Sequence, residues 1–277
     1  MLKKLLVMIM TIAIAFSLTA CSKQTTGESN EKEVAPIKLG ALATSEPRCE
    51  LAKEILKEIN IDSKVLLFEG NAGPATALKD GDVNGIIVNH LPWIQAFNKA
   101  NNSDLVMIQP YTYYCPTRMY SSKWSSIDEI PDGAAICISN DPSNLDVALI
   151  MLDSVGLIKL GKKTDSYYSE ADIISNPKNI KLHLTDTVYV ISSYKSVDAI
   201  ICFSVYAVRG KAEGVDASKF LCENPTDKQN FPCGLIVRAE DKDAEWVKYV
   251  AEKLASDEYI KKAIAIFGEG AHGYYNN

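Results

Sequence analysis

Two kinds of apolar pattern run along the chain. Leu5 to Phe16 is apolar except at Thr11, follows Lys3 and Lys4, and closes with Leu18-Thr19-Ala20-Cys21. That run is too short to span ~30 Å of hydrocarbon, so residues 1–20 predict an export signal and not a membrane helix. Ser22 to Ala35 has little to bury and predicts a tether over 21–35. From Pro36 short apolar runs alternate with stretches whose apolar positions recur every three or four residues. Strands are predicted at Ile37–Leu42, Lys64–Phe68, Gly85–Val88, Leu105–Ile108, Ala134–Ile138, Ala199–Phe203 and Leu235–Val237. Helices are predicted at Arg48–Ile59, Pro74–Lys79, Pro92–Asn98, Pro142–Val155, Ala244–Leu254 and Asp257–Phe267. In the first helix Leu51, Ile55, Leu56 and Ile59 share a face. This alternation implies an α/β fold with largely parallel sheets. Two such groups predict a two-lobed molecule with a cleft: residues 36–115 form the first lobe, 116–225 the second, and 226–277 return to the first.

Composition narrows the possibilities. Loss of Lys3 and Lys4 with the signal leaves 27 of the 29 basic residues against 35 acidic ones, a net charge of −8. That balance argues against nucleic acid, which needs a cationic face. The cysteine directly after small residues resembles a bacterial lipobox, which implies lipid attachment at Cys21. Six further cysteines remain, at positions 49, 115, 137, 202, 222 and 233. An even number in an exported protein permits disulfides, and Cys222 with Cys233, around a polar loop, are the best local candidates; buried thiols packed as small apolar groups are the alternative. No C-x-x-C occurs, which disfavours a thiol oxidoreductase or a zinc ribbon.

Gly268-x-Gly270-x-x-Gly273 matches a dinucleotide pattern numerically, but it follows a helix where the chemistry needs a strand. No G-x-S-x-G, H-E-x-x-H or Walker A motif is present, and His90, His183 and His272 show no metal-ligand spacing. No catalytic residue, metal or cofactor is therefore expected. Asp141 followed by Pro142 predicts a helix start, whose free N–H groups either bind an anion or are capped by Asp141 itself. His90 lies where a strand ends and a helix begins, the position that faces the crevice in open α/β sheets; a structural hydrogen-bonding role is equally compatible.

The segments DVNGIIVNHLPWIQAFNKANNSDLV (Asp82 to Val106), MYSSKWSSIDEIPDGA (Met119 to Ala134), SNDPSN (Ser139 to Asn144) and ALIMLDSVGLIKL (Ala148 to Leu160) resemble the NlpA/MetQ family of lipoproteins. ADIISNPKNIKL (Ala171 to Leu182) and VRAEDKD (Val237 to Asp243) extend the likeness over nearly all of the chain after the tether. Those proteins are substrate-binding components of methionine-type ABC importers. The resemblance implies a periplasmic-binding-protein-like (type II) fold that closes on a small ligand and delivers it to a membrane permease driven by a cytoplasmic ATPase.

The departures from that pattern bear on the ligand. Where methionine-binding members carry an arginine for the ligand carboxylate, this chain has Val147. Where they carry a pair of asparagines, it has Phe203 and Val205, and Asn71 and Val88 replace an aromatic pair. His90 is retained. Loss of a bidentate carboxylate partner removes an interaction of order ~2–5 kcal/mol. Arg118, after Pro116, and Arg48, after Pro47, are candidates to replace it, or are ordinary surface arginines. The expected ligand-binding set is Asn71, Asn89, His90, Tyr113, Arg118, Asn140, Asn144, Phe203 and Tyr206. The expected function is a lipid-anchored solute-binding protein on the extracytoplasmic membrane face. Its ligand is small, polar, amino-acid-like and anionic, other than methionine. The alternative is a surface lipoprotein that has lost transport and binds a macromolecular or sensor partner.

Overall fold

Two five-stranded sheets, each covered by helices on both faces, define two lobes. The computed structural model describes residues 35–268 and 271–275, so the expected signal, Cys21 and all but the last residue of the tether lie outside the described residues. In chain order the first lobe contains β1 (Ile37–Ala41), α1 (Glu46–Glu58), β2 (Ser63–Leu67), α2 (Gly73–Lys79), β3 (Gly85–Ile86), α3 (Leu91–Asn101) and β4 (Leu105–Met107). A short strand, β5 (Tyr113–Tyr114), leads to β6 (Thr117–Tyr120) and β7 (Ala135–Ser139). Then follow α4 (Pro142–Ser154), β8 (Lys159–Leu160), β9 (Ile173–Ser175), β10 (Lys181–Thr185), β11 (Ala199–Phe203), α5 (Ser204–Arg209) and β12 (Cys222–Glu223). The chain returns through α6 (Asp227–Asn230) to β13 (Ile236–Arg238), α7 (Glu245–Leu254), α8 (Asp257–Phe267) and β14 (Gly273–Tyr274). No described helix is long and apolar enough to cross a membrane.

The first sheet has the order β2-β1-β3-β13-β4 and the second β10-β7-β11-β6-β12. β1 is parallel to β2 and β3, while β13 enters antiparallel between β3 and β4. In the second sheet β7 is parallel to β10 and β11, and β6 runs antiparallel to β11 and β12. Period-two alternation distributes the strand residues between the two covering layers. Leu39, Ala41 and Val237 face the core made with α1, α7 and α8; neighbouring Ile236 faces the core made with α2 and α3. Ile136, Ile138, Ala199 and Ile201 pack beneath α4, while Cys137, Ile200 and Cys202 face the opposite layer with the 3-10 helix Thr187–Ser193. Arg238 stitches β13 to its neighbours by donating from Nη1 to the carbonyls of Leu78 and Val83 at 3.0 and 2.8 Å.

Candidate functional site

The starts of α3 and α4 approach each other from opposite lobes and frame a cavity. His90 caps α3: its Nδ1 accepts the Trp93 N–H at 3.2 Å. Nδ1 being an acceptor, the proton of the neutral ring sits on Nε2, which donates to Asn144 Oδ1 at 2.9 Å. Asn144 in turn donates to Thr187 Oγ1 at 3.1 Å. Burial lowers the His90 pKa, which keeps the ring neutral. Asn89 precedes it at φ +71°, a left-handed conformation that asparagine tolerates, and its Nδ2 donates to the Asn71 carbonyl at 3.3 Å. Asp141 caps α4 through Oδ1, accepting from Ser143 and Asn144 N–H, and its Oδ2 accepts from Trp93 Nε1 at 2.6 Å. The Asp141 carboxylate thus caps its own helix and links the lobes.

The cavity between the lobes has a volume of about 60 Å³. Seven expected residues line it: Asn71, Asn89, His90, Tyr113, Asn144, Phe203 and Tyr206. Val88 and Val205 are also in its wall, while Val147, fully buried on α4, lines a smaller recess behind Asn144 and Phe203. Two expected residues lie elsewhere. Asn140 is exposed and lines open grooves outside the cavity, because the turn before Asp141 carries it outward. Arg118 is on β6, where alternation puts Thr117 and Met119 on one face and Arg118 with Tyr120 on the other. There its Nε donates to Glu223 Oε2 at 2.6 Å and its guanidinium lies over Phe220 at 4.4 Å.

The residues missed from sequence are Thr44, Ser45, Cys115, Thr187, Phe231, Cys233 and His272. They come from loops, from the start of the 3-10 helix Thr187–Ser193 and from the C-terminal return, so no local pattern marks them. Phe203 and Phe231 present ring edges to His90 at 5.8 and 5.1 Å. Among the described residues, no lysine or arginine lines the cavity. Arg48 lies just behind it, 2 % exposed, its guanidinium 3.7 Å above the Tyr113 ring and 4.9 Å from Phe267. Its Nη2 has no hydrogen-bond partner among the described residues, and neither do Nδ2 of Asn71 or Nδ1 of His272.

The expected Cys222–Cys233 pair is not formed. Cys222 packs against the core under α4, and Cys233 belongs to the core of the first lobe; all six described cysteines are free. No group of three His, Cys, Asp or Glu side chains suited to a metal occurs among the described residues.

Two covered sheets joined by two crossings, with a cavity at the seam, define the class: a two-lobed substrate-binding protein of the periplasmic-binding-protein type. The NlpA lipoprotein family profile matches residues 37–272, and the chain belongs to that family. Membership makes it a binding lipoprotein and not an enzyme. The D-methionine-binding lipoprotein MetQ of Escherichia coli (strain K12) is 32% identical over 248 residues, 87% of this chain and 89% of that protein. A periplasmic substrate-binding protein of an ABC transporter from Coxiella burnetii superposes with a TM-score of 0.78 at 28% identity, covering 86% of this chain and 100% of that one. A nutrient-binding protein from Burkholderia cenocepacia, bound to methionine, superposes at 0.78 with 27% identity, covering 86% and 99%.

Proposed function

We propose that this protein is the solute-binding component of an ABC importer, anchored through lipid on Cys21 at the extracytoplasmic face of the cell membrane. Its partners are then a permease and a cytoplasmic ATPase. Lobe boundaries near residues 115 and 225 let two crossings serve as the hinge. The ligand we infer is a small, polar, amino-acid-like solute with an anionic group, other than methionine. The observation that carries this reading is the interlobe cavity, where Asn71 Nδ2 and His272 Nδ1 are buried without partners. An unpaired buried polar atom costs about 1–3 kcal/mol, which a ligand that pairs with it recovers. Arg48, buried behind Tyr113 with no ion pair among the described residues, supplies positive potential at the same end. On the α4 side, Val147, Phe203 and Val205 present no charge and no amide to a ligand head group, and this favours a cargo different from that of the methionine-bound relative.

The test is thermal unfolding against amino acids, dipeptides and small organic anions. A ligand that binds only the folded state raises the midpoint as its concentration exceeds Kd. A polar or anionic amino acid should give the largest rise, and L- and D-methionine little. A dominant shift with either methionine would overturn the ligand assignment while leaving the importer role. No shift across the panel would favour a lipoprotein that has lost transport.

A further inference from the structure

Two stretches of chain cross between the lobes. The outgoing one runs from β4 through β5 to β6, and the returning one from β12 through α6 to β13. They meet at one antiparallel bridge, where Cys233 N–H donates to the Tyr113 carbonyl at 2.8 Å and Tyr113 N–H donates back at 3.2 Å. Cys115 stands two residues beyond Tyr113, so an extended strand turns its side chain to the same face. The Cys115 and Cys233 thiols interact side chain to side chain, and both line the cavity. Cys137, Cys202 and Cys222 belong to the second lobe, and Cys49 is buried in α1.

We propose that Cys115 and Cys233 are a redox pair, closing to a disulfide that ties the outgoing and returning crossings together at the cavity wall.

The surroundings assign the roles. The hydrogen bond from Cys233 draws the Cys115 thiol well below its ordinary pKa against the opposing effect of burial, with His272 and Arg48 adding to the lowering. Burial pushes Cys233 up. Cys115 is half-buried where Cys233 is buried, so Cys115 is the accessible, attacking sulfur. The oxidant is a small organic disulfide. Cys115 thiolate attacks one of its sulfurs, the S–S bond breaks, and the first half leaves as a thiolate that takes up the proton Cys115 released. Cys233 then attacks the Cys115 sulfur of the mixed disulfide. It gives its proton to the departing second half. Two protein thiols are oxidised and one disulfide is reduced to two thiols. On the proposed function these crossings are the hinge, and the bond would hold it in one arrangement. Because both sulfurs face the cavity, a bound solute should also shield them.

The probe is glutathione disulfide. Full-length protein, purified in detergent and fully reduced, is incubated with it, quenched in acid, alkylated and digested. The expected result is a peptide joining Cys115 to Cys233, with both sites lost from the alkylated fraction while Cys222 stays alkylated. Cys233→Ser should instead retain glutathione on Cys115, and Cys222→Ser should leave the joined peptide unchanged. A joined peptide involving another cysteine, or oxidation spread evenly over all six, would overturn the proposal. So would Cys115 remaining alkylatable throughout. Should Cys233→Ser fail to fold, the peptide map of the unaltered protein decides between these outcomes.

Discussion

Along the seam between the lobes, the α3–α4 side and the crossing side are held by different chemistry. At α3–α4 the contacts are side-chain hydrogen bonds: His90 to Asn144, Trp93 to Asp141, and the Tyr167 hydroxyl to the Pro92 carbonyl at 2.7 Å. Each can be exchanged for water at a net cost of about 0.5–1.5 kcal/mol. The crossing side is a backbone bridge overlaid by aromatic packing, with Arg48 on Tyr113 and the His272 ring edge-on to Tyr113 and Phe267 at 5.0 and 4.6 Å. Separating it would expose apolar surface and a guanidinium held in no ion pair among the described residues. The difference implies a direction of motion: the polar side opens while the crossing side stays packed, as hinge closure around a ligand requires.

The sharpest way to break this comparison is Tyr113→Ala. Removing a buried aromatic ring from the crossing side should cost about 3–5 kcal/mol in denaturant unfolding. A cost no greater than that of an α3–α4 bond would show that the hinge is not the stiffer side.

pH separates the two sides by sign. Asp227, on the return crossing, is buried and accepts the Thr117 N–H at 2.5 Å through Oδ2. Burial pushes its pKa from 3.8 up to about 8. The folded state then binds a proton that the unfolded state releases above pH 4. The stabilisation is complete below that pH and is lost as pH rises toward 8. His90 behaves oppositely: its lowered pKa means stability is present above the unfolded value near 6.5 and falls as pH drops below it. Asp227→Asn should flatten the fall in stability between about pH 4 and 8, whose slope is at most about 1.4 kcal/mol per pH unit. Melting temperature against pH for the variant and the unaltered protein checks it; an unchanged slope would remove Asp227 from the account.

Asn144→Ala breaks the bond to His90 and the bond to Thr187. We expect a loss of about 1–3 kcal/mol and a larger radius of gyration in small-angle scattering, since the lobes lose a latch. Trp93→Phe keeps an aromatic ring but deletes the donor to Asp141 and part of the buried indole stacked on Phe97, for about 1–2 kcal/mol. Its scattering curve should move in the same direction by less. Stability falling in both without any expansion would place these bonds within a rigid body and not at an opening seam.

The elements that were legible in the sequence are those with a strong period. α1 buries Leu51, Ile55 and Leu56 as their spacing implies, and its Glu50–Lys53 pair forms outside at 3.0 Å. α4, α7, α8 and β11 fall within about a residue of the ranges read from periodicity. The elements missed have no such period. β10 (KLHLT) is a largely exposed edge strand, and β5 and β6 carry Tyr-Tyr and Arg118 beside Pro116. Arg118 illustrates the limit. A strand turns every second side chain away, and one residue of register separates Thr117 beneath the cavity from Arg118 against Glu223. His272 and Cys233 reach the cavity only through the return crossing, a long-range event that neither charge nor period announces.

That return has a temporal side. β4 joins the first sheet only through β13, so the strand that completes this lobe is made after the whole of the second. A chain emerging from its N-terminus, from a ribosome or through a membrane channel, can pair β1 with β2 and β3 and close residues 117–223 into a sheet while β4 still waits for β13. β4 and the open edge of β3 must therefore persist without β13, and a chain stopped before Ile236 would carry a finished sheet beside an open one.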